Sequence, residues 1–285
     1  MTATATRIPV PTAATARVRR VPWTLLPSLA VLALLLGWAL VPGLFTGHDP
    51  ITGDTSRVLA EPGADAWFGT DQLGRDLYAR VVHGASLTLR ATFLAVAIGL
   101  GAGGLLGLVS GFVGGRVDAV LMRAVDVLQA VPGLLLSMAV VTVLGFGTIK
   151  VAVAVGIGFV AVFARVARAE ALRVSTSLYV EAAHAGGTRW SGVLVRHVLP
   201  NAASPVLALA AVQFGQAVLA VSALSFLGFG AAPPAPEWGS LVAEGRDYMV
   251  TAWWLTTLPG LVIIATVLST HGLARALDPE TRRRP

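Results

Sequence analysis

The chain has 285 residues, 55% of them hydrophobic and 13% charged, with a mean hydropathy of +0.75 and a net charge of +6. Soluble domains carry about a quarter charged residues, so this composition excludes an ordinary soluble enzyme and points to a membrane protein. The absence of cysteine excludes disulfide and thiolate chemistry, and the basic excess is better explained by membrane topology than by nucleic acid.

In chain order, residues 1–20 are rich in Ala, Thr and Pro and are expected to be a disordered cytoplasmic tail. Residues 21–85 hold a first apolar span, Trp23–Val41, and an outer loop. That span is too long for a signal-peptide apolar region and lacks a small-x-small cleavage site, so it is expected to remain as an anchor. Residues 86–275 then form one five-helix unit with spans at Leu87–Val113, Val127–Leu144, Val151–Phe163, Ala202–Phe226 and Trp253–Leu273. The fourth is expected to continue toward Leu172 as a cytoplasmic extension. A spanning helix needs roughly 20 apolar residues, which makes six spans in an all-α integral membrane protein. A short basic cytoplasmic tail, 276–285, ends the sequence.

Within these spans a few residues stand out. Gly99, Gly103, Gly107 and Gly111 recur every fourth position and share one helix face. Such small-residue faces let helices approach closely in lipid, and the expected role is helix packing. Pro132 and Pro259 fall inside spans and are expected to kink them. Gln213 and Gln216 are three apart on one face, in a span whose interior, Val206–Leu224, carries no formal charge. They are candidates for a solute path or for hydrogen bonds between helices.

Topology follows from the arginines. With the N-terminus inside, only Arg57, Arg75, Arg80, Arg90, Lys150 and Arg246 face outward. The remaining basic residues fall inside, so both termini are expected in the cytoplasm. The same count places the segment between the fourth and fifth spans, roughly 173–200, on the cytoplasmic side.

That segment reads Glu181-Ala-Ala-His-Ala-Gly-Gly187, then Arg196-His197-Val-Leu-Pro200-Asn201. Tyr179–Ala185 is good helix sequence, Gly186-Gly187 is a helix stop, and Thr188 is expected to cap a second short helix running to about Leu199. Pro200 is expected to start the next span. Glu181, Ala182, Ala183, Gly187, His197, Pro200 and Asn201 fall on the spaced pattern E-A-A-x-x-x-G … H-x-x-P-N. The segment therefore resembles the coupling loop of permease subunits of bacterial ABC importers. The resemblance implies that these residues, with Arg189, meet the ATPase subunit.

Two further stretches resemble the dipeptide, oligopeptide and nickel branch of that family. One is Phe68-Gly-Thr-Asp-Gln-Leu-Gly-Arg-Asp76 with Arg80. Its Asp65, Asp71, Asp76, Arg75 and Arg80 have alternating signs and no His or Cys at ligand spacing, and suit a hydrogen-bonded turn better than a metal site. The other runs Ala223-Leu-Ser-Phe-Leu-Gly-Phe-Gly230, Pro233-Pro234, Trp238-Gly-Ser240 and Glu244-Gly-Arg-Asp247. The chain departs from the branch at Val221 and His271, where family members often carry an acid.

The resemblance implies a type I importer permease fold, with one outer helix and a five-helix core. It also implies a homologous second permease, two ATP-binding subunits that hold ATP and Mg, and an extracytoplasmic solute-binding protein. The cargo it implies is a di- or oligopeptide, with nickel or a nickel chelate as the alternative. No cofactor and no metal is expected on this chain. No G-x-x-x-x-G-K-[ST] occurs, so no P-loop ATPase is expected here. H-E-x-x-H and G-x-S-x-G are also missing, which gives no support to an intramembrane hydrolase. The rival class is a stand-alone secondary transporter or channel. Such carriers usually place an ionisable residue in mid-membrane and often show internal repeats; neither is evident here.

Overall fold

A computed structural model describes residues 25–277. The expected tails, 1–20 and the part of 276–285 beyond Leu277, lie outside the described residues. Among the described residues there is no β-strand, and the helices run α1 Leu25–Leu40, α2 Leu77–Val113, α3 Gly115–Ala130, α4 Gly133–Leu144, α5 Thr148–Ser175, α6 Leu178–Ala185, α7 Trp190–Phe226, α8 Trp238–Gly245 and α9 Trp254–Leu277.

Four of these, α2, α5, α7 and α9, are long and apolar enough to cross a bilayer, and α3 with α4 makes a fifth if the bent pair is one span. Helix α1 is apolar throughout, and its 16 described residues rise about 24 Å. The expected third span, Val127–Leu144, is corrected. The chain turns by 92° between α3 and α4. Val131 and Pro132 are both extended there, with ψ of 129°. A proline pushes its predecessor out of the helical region, so a kink becomes a break. By contrast Pro259 stays inside α9.

The spans outgrow their apolar windows for identifiable reasons. Helix α2 begins ten residues before the expected Leu87 because the Asp76 carboxylate accepts from the Ala79 N–H at 3.0 Å and caps it. Helix α5 carries the expected extension to Ser175. Helix α7 is continuous from Trp190, so Pro200 lies within it. A π turn at Leu194–Val198 re-phases the backbone bonds just ahead of that proline, which has no N–H to give.

Helices α2 and α5 form the centre. A Cβ on Gly103 or Gly107 would fall on the carbonyl oxygens of Val160 and Ala164, and one on Gly111 would lie 2.6 Å from that of Arg168. On Gly99 it would come within 2.6 Å of the Phe159 Cβ. The backbones touch because glycine leaves nothing between them. Around this pair lies one apolar core including Ala95, Val151, Val155, Phe163, Ala217 and Val221. A second core, at the end nearer the 42–76 segment, joins α1, α2, α8 and α9 through Trp38, Val81, Trp238 and Trp254. The indole N–H of Trp238 donates to the Val81 carbonyl at 2.9 Å, so this fully buried ring leaves no polar group unpaired.

Candidate functional site

The loop at 173–200 is held from below by a small apolar cluster. Val180 of α6 and Val193 and Val198 of α7 are buried against Ala171 and Val174 of α5, with Leu108 and Phe112 of α2 alongside. Phe112 and Trp190 stack with centroids 6.1 Å apart. This fixes α6 across the ends of α2 and α5.

Helix α6 stops where the two glycines stand. The Gly186 N–H donates to the Ala182 carbonyl at 2.9 Å, and the Thr188 N–H to that of Ala183 at 3.1 Å. Gly187 has φ of +79°, a left-handed conformation natural to glycine at a helix C-terminus. The expected Thr188 cap is corrected: the N-cap residue of α7 is Arg189, with no side-chain hydrogen bond. With Thr188 spent on closing α6, the chain turns one residue later.

Of the motif residues, Ala183 is half-buried under α6, whereas Glu181, Ala182, Gly187 and Arg189 face solvent. Neither Glu181 nor Arg189 has an ion pair among the described residues. His197 is half-buried, 6.4 Å from the Tyr179 ring between centroids, and its carbonyl accepts from Asn201 Nδ2 at 2.7 Å. Pro200 and Asn201 are exposed one turn into α7 from the π turn. The motif thus splits into residues that shape the loop and residues that present a surface. Sequence reasoning missed the apolar part of that surface: Leu178 is 83% exposed and Trp190 63%. Their signal was two large apolar side chains flanking the motif, Leu178 three residues before Glu181 and Trp190 three after Gly187.

A second feature is a cleft of about 660 Å³ at the α3–α4 break, walled by α5 and α7. Gln213 is buried at its wall and Gln216 exposed. Gln129, on the last turn of α3, joins them, as does Ser137. Gln129 was not singled out in the sequence because only the break turns it toward α7. Neither Gln213 nor Gln216 makes a side-chain hydrogen bond within the described chain. Neither amide is sealed from solvent, so both are free to bond whatever enters the cleft. No charged side chain lines the cleft. Val221 is elsewhere, fully buried in the core, and the His271 ring lies 2.9 Å from the Val267 carbonyl of its own helix. The two departures from the family pattern are therefore packing positions.

At the opposite end, two stretches far apart in the sequence meet. Asp71 Oδ2 accepts from Arg75 Nε at 2.6 Å, and Glu244 Oε2 is 3.2 Å from Arg75 Nη2 and 3.1 Å from Arg80 Nη2. Arg80 is fully buried and Asp71 and Arg75 nearly so. Two carboxylates balance two guanidiniums, which is how charges survive out of water. Asp76 pairs with His48 at 2.5 Å instead, and Asp65 is exposed. Sequence reasoning placed Glu244 in a separate motif. The structure makes it the counter-charge of the first.

The family described as "Binding-protein-dependent transport system inner membrane component" matches residues 103–283. The chain is 37% identical over 264 residues to a probable D,D-dipeptide transport system permease of Escherichia coli K12, covering 91% of this chain and 88% of the relative. It is 38% identical over 267 residues to a di/tripeptide transport system permease of Pseudomonas aeruginosa UCBPP-PA14, covering 90% and 88%. A glutathione transport system permease of Escherichia coli O6:K15:H31 is 41% identical over 233 residues, covering 80% and 77%. Among solved structures, an inward-facing MetNI methionine ABC transporter superposes with a TM-score of 0.57 at 20% identity, over 70% of this chain and 96% of that one. An amino acid ABC transporter gives 0.55 at 18%, over 73% and 95%. These two speak for the type I permease fold.

Proposed function

The chain belongs to the family of binding-protein-dependent transport inner membrane components, and on that premise we propose that it is one permease of an ATP-driven importer of di- or oligopeptides. The observation that carries the cargo is the set of relatives at 36–41% identity, named for dipeptides, di/tripeptides and glutathione. The uncharged, amide-lined cleft is consistent with it. Peptides differ in side-chain charge but share backbone amides, which Gln129, Gln213 and Gln216 can pair with whatever the sequence carried.

The remaining machinery is part of the same proposal. Both termini and the 173–200 loop lie in the cytoplasm. The face bearing Leu178, Glu181, Ala182 and Trp190 docks on an ATP-binding subunit, which holds ATP and Mg. A second, homologous permease completes the pathway, and an extracytoplasmic solute-binding protein delivers cargo. The chain itself contributes transport and no hydrolysis.

Reconstitution tests this reading. Proteoliposomes holding this chain, its neighbouring permease and ATPases, and the binding protein should take up radiolabelled dipeptide only with internal ATP. Uptake of nickel but not dipeptide would replace the cargo. Uptake by this chain alone, without any ATPase, would overturn the importer reading.

A further inference from the structure

The face of the molecule away from the glutamine cleft carries a groove of about 720 Å³ between α1, α2, α7 and α9. On α2 its wall is a stripe at helical spacing: Ser86, Leu89, Arg90, Phe93, Ala97 and Leu100. Leu36 of α1 and Phe214 of α7 face it. Three polar side chains interrupt this apolar lining, and two are satisfied locally. Ser86 Oγ donates to the His83 carbonyl at 3.1 Å and Thr270 Oγ1 to that of Val267 at 2.8 Å. The third is Arg90. It is exposed, and it has no hydrogen bond or ion pair among the described residues.

Its depth is set by helix length. Helix α2 has 37 residues and rises about 55 Å, far more than the roughly 30 Å hydrocarbon core. Its Gly114 end packs against the 173–200 loop through Leu108 and Phe112, so the surplus of about 25 Å falls at both ends, and shared equally it brings the far edge of the hydrocarbon to about residue 85. Arg90 then lies about 7 Å inside that edge on the side of the 42–76 segment, within reach of the headgroups for a long side chain that snorkels. From Arg90 to Leu100 the groove descends about 15 Å, the depth of one leaflet.

We propose that this groove is a binding site for an anionic phospholipid, its phosphate on Arg90 and one acyl chain lying along Phe93, Ala97 and Leu100. The guanidinium supplies a charge that lipid tails cannot solvate and a phosphate can. The N-terminal segment of the chain does not suit the site. It carries Arg7, Arg17, Arg19 and Arg20, and it joins α1 at Leu25, the end opposite Leu40, whose side chain lines the groove.

The test is native mass spectrometry of the delipidated, assembled importer titrated with phosphatidylglycerol or phosphatidylcholine. The wild type should hold phosphatidylglycerol more tightly. Arg90→Gln should weaken that binding about fivefold, the effect of one interfacial arginine on an anionic lipid, and leave phosphatidylcholine unchanged. Arg90→Lys should retain most of the preference, and Ala97→Phe, which fills the groove, should weaken both lipids. Equal binding of the two lipids by the wild type, or no change with Arg90→Gln, overturns the proposal. So does loss of the second permease in Arg90→Gln without a change in lipid binding, which would make the groove a protein interface.

Discussion

Glu181 holds no other charged group of its own chain among the described residues. It is exposed and has no ion pair among the described residues, while its neighbour Val180 is buried in the cluster that fixes α6. Glu181→Arg should therefore leave folding and membrane insertion unchanged, yet uncouple ATP hydrolysis from uptake or prevent recovery of the ATPases. Normal uptake with normal ATPase co-purification would remove Glu181 from the interface. Gly187→Pro is expected to do the same by a different route, since proline cannot adopt φ of +79° and the α6–α7 turn must reshape. The buried charges near the 42–76 segment behave differently. Arg80 is fully buried against Glu244 and Asp71, and removing one partner of a buried pair costs about 3–5 kcal/mol. Arg80→Met should lower thermal stability sharply, and the Arg80→Met/Glu244→Met double variant should recover part of the loss. Thermal unfolding in detergent measures both, and an equal loss in the double variant would show that packing rather than charge is at stake.

The α2–α5 pair carries the clearest prediction at the level of elements. Overpacking a core typically costs about 1–3 kcal/mol, and at Gly103 and Gly107 the added atoms would meet backbone carbonyls, which cannot rotate away. Gly103→Leu or Gly107→Leu should thus reduce detergent stability or recovery of the assembled subunits. Unchanged melting and unchanged subunit recovery would mean that the two helices separate freely. Four-residue glycine spacing made this face legible in the sequence, because spacing on a helix is local information. Four of the six expected spans, those of α2, α5, α7 and α9, were legible for the same reason. The ends were not: Asp76 starts α2 well outside the apolar window, and the α7 π turn carries helix through Pro200. Whether a proline kinks or breaks a helix was equally hidden. Pro132 and Pro259 look alike in an apolar run, but only Val131 adopts the extended backbone that ends a helix.

Across the whole molecule, contacts between distant segments are what the sequence concealed. Glu244 and Arg80 are 164 positions apart and meet at 3.1 Å. Gln129 reaches the cleft of Gln213 and Gln216 only because α3 and α4 part at 92°. That cleft lies along one flank of α5, while the 173–200 loop sits across its end, so α5 runs from one to the other. One unbroken helix of 28 residues, about 42 Å long, links the surface proposed to meet the ATPase with the cleft proposed to meet solute. Movement of the loop would then tilt α5 and change the width of the cleft. Cysteines placed at Gln213 and Gln216 test this directly, because the chain has no native cysteine. In the assembled importer both should react with a hydrophilic maleimide, and their rates should change when non-hydrolysable ATP is added. A rate that is high but insensitive to nucleotide would make the cleft a static, water-filled notch. No labelling in any nucleotide state would make the two glutamines packing residues and would move the solute path elsewhere in the complex.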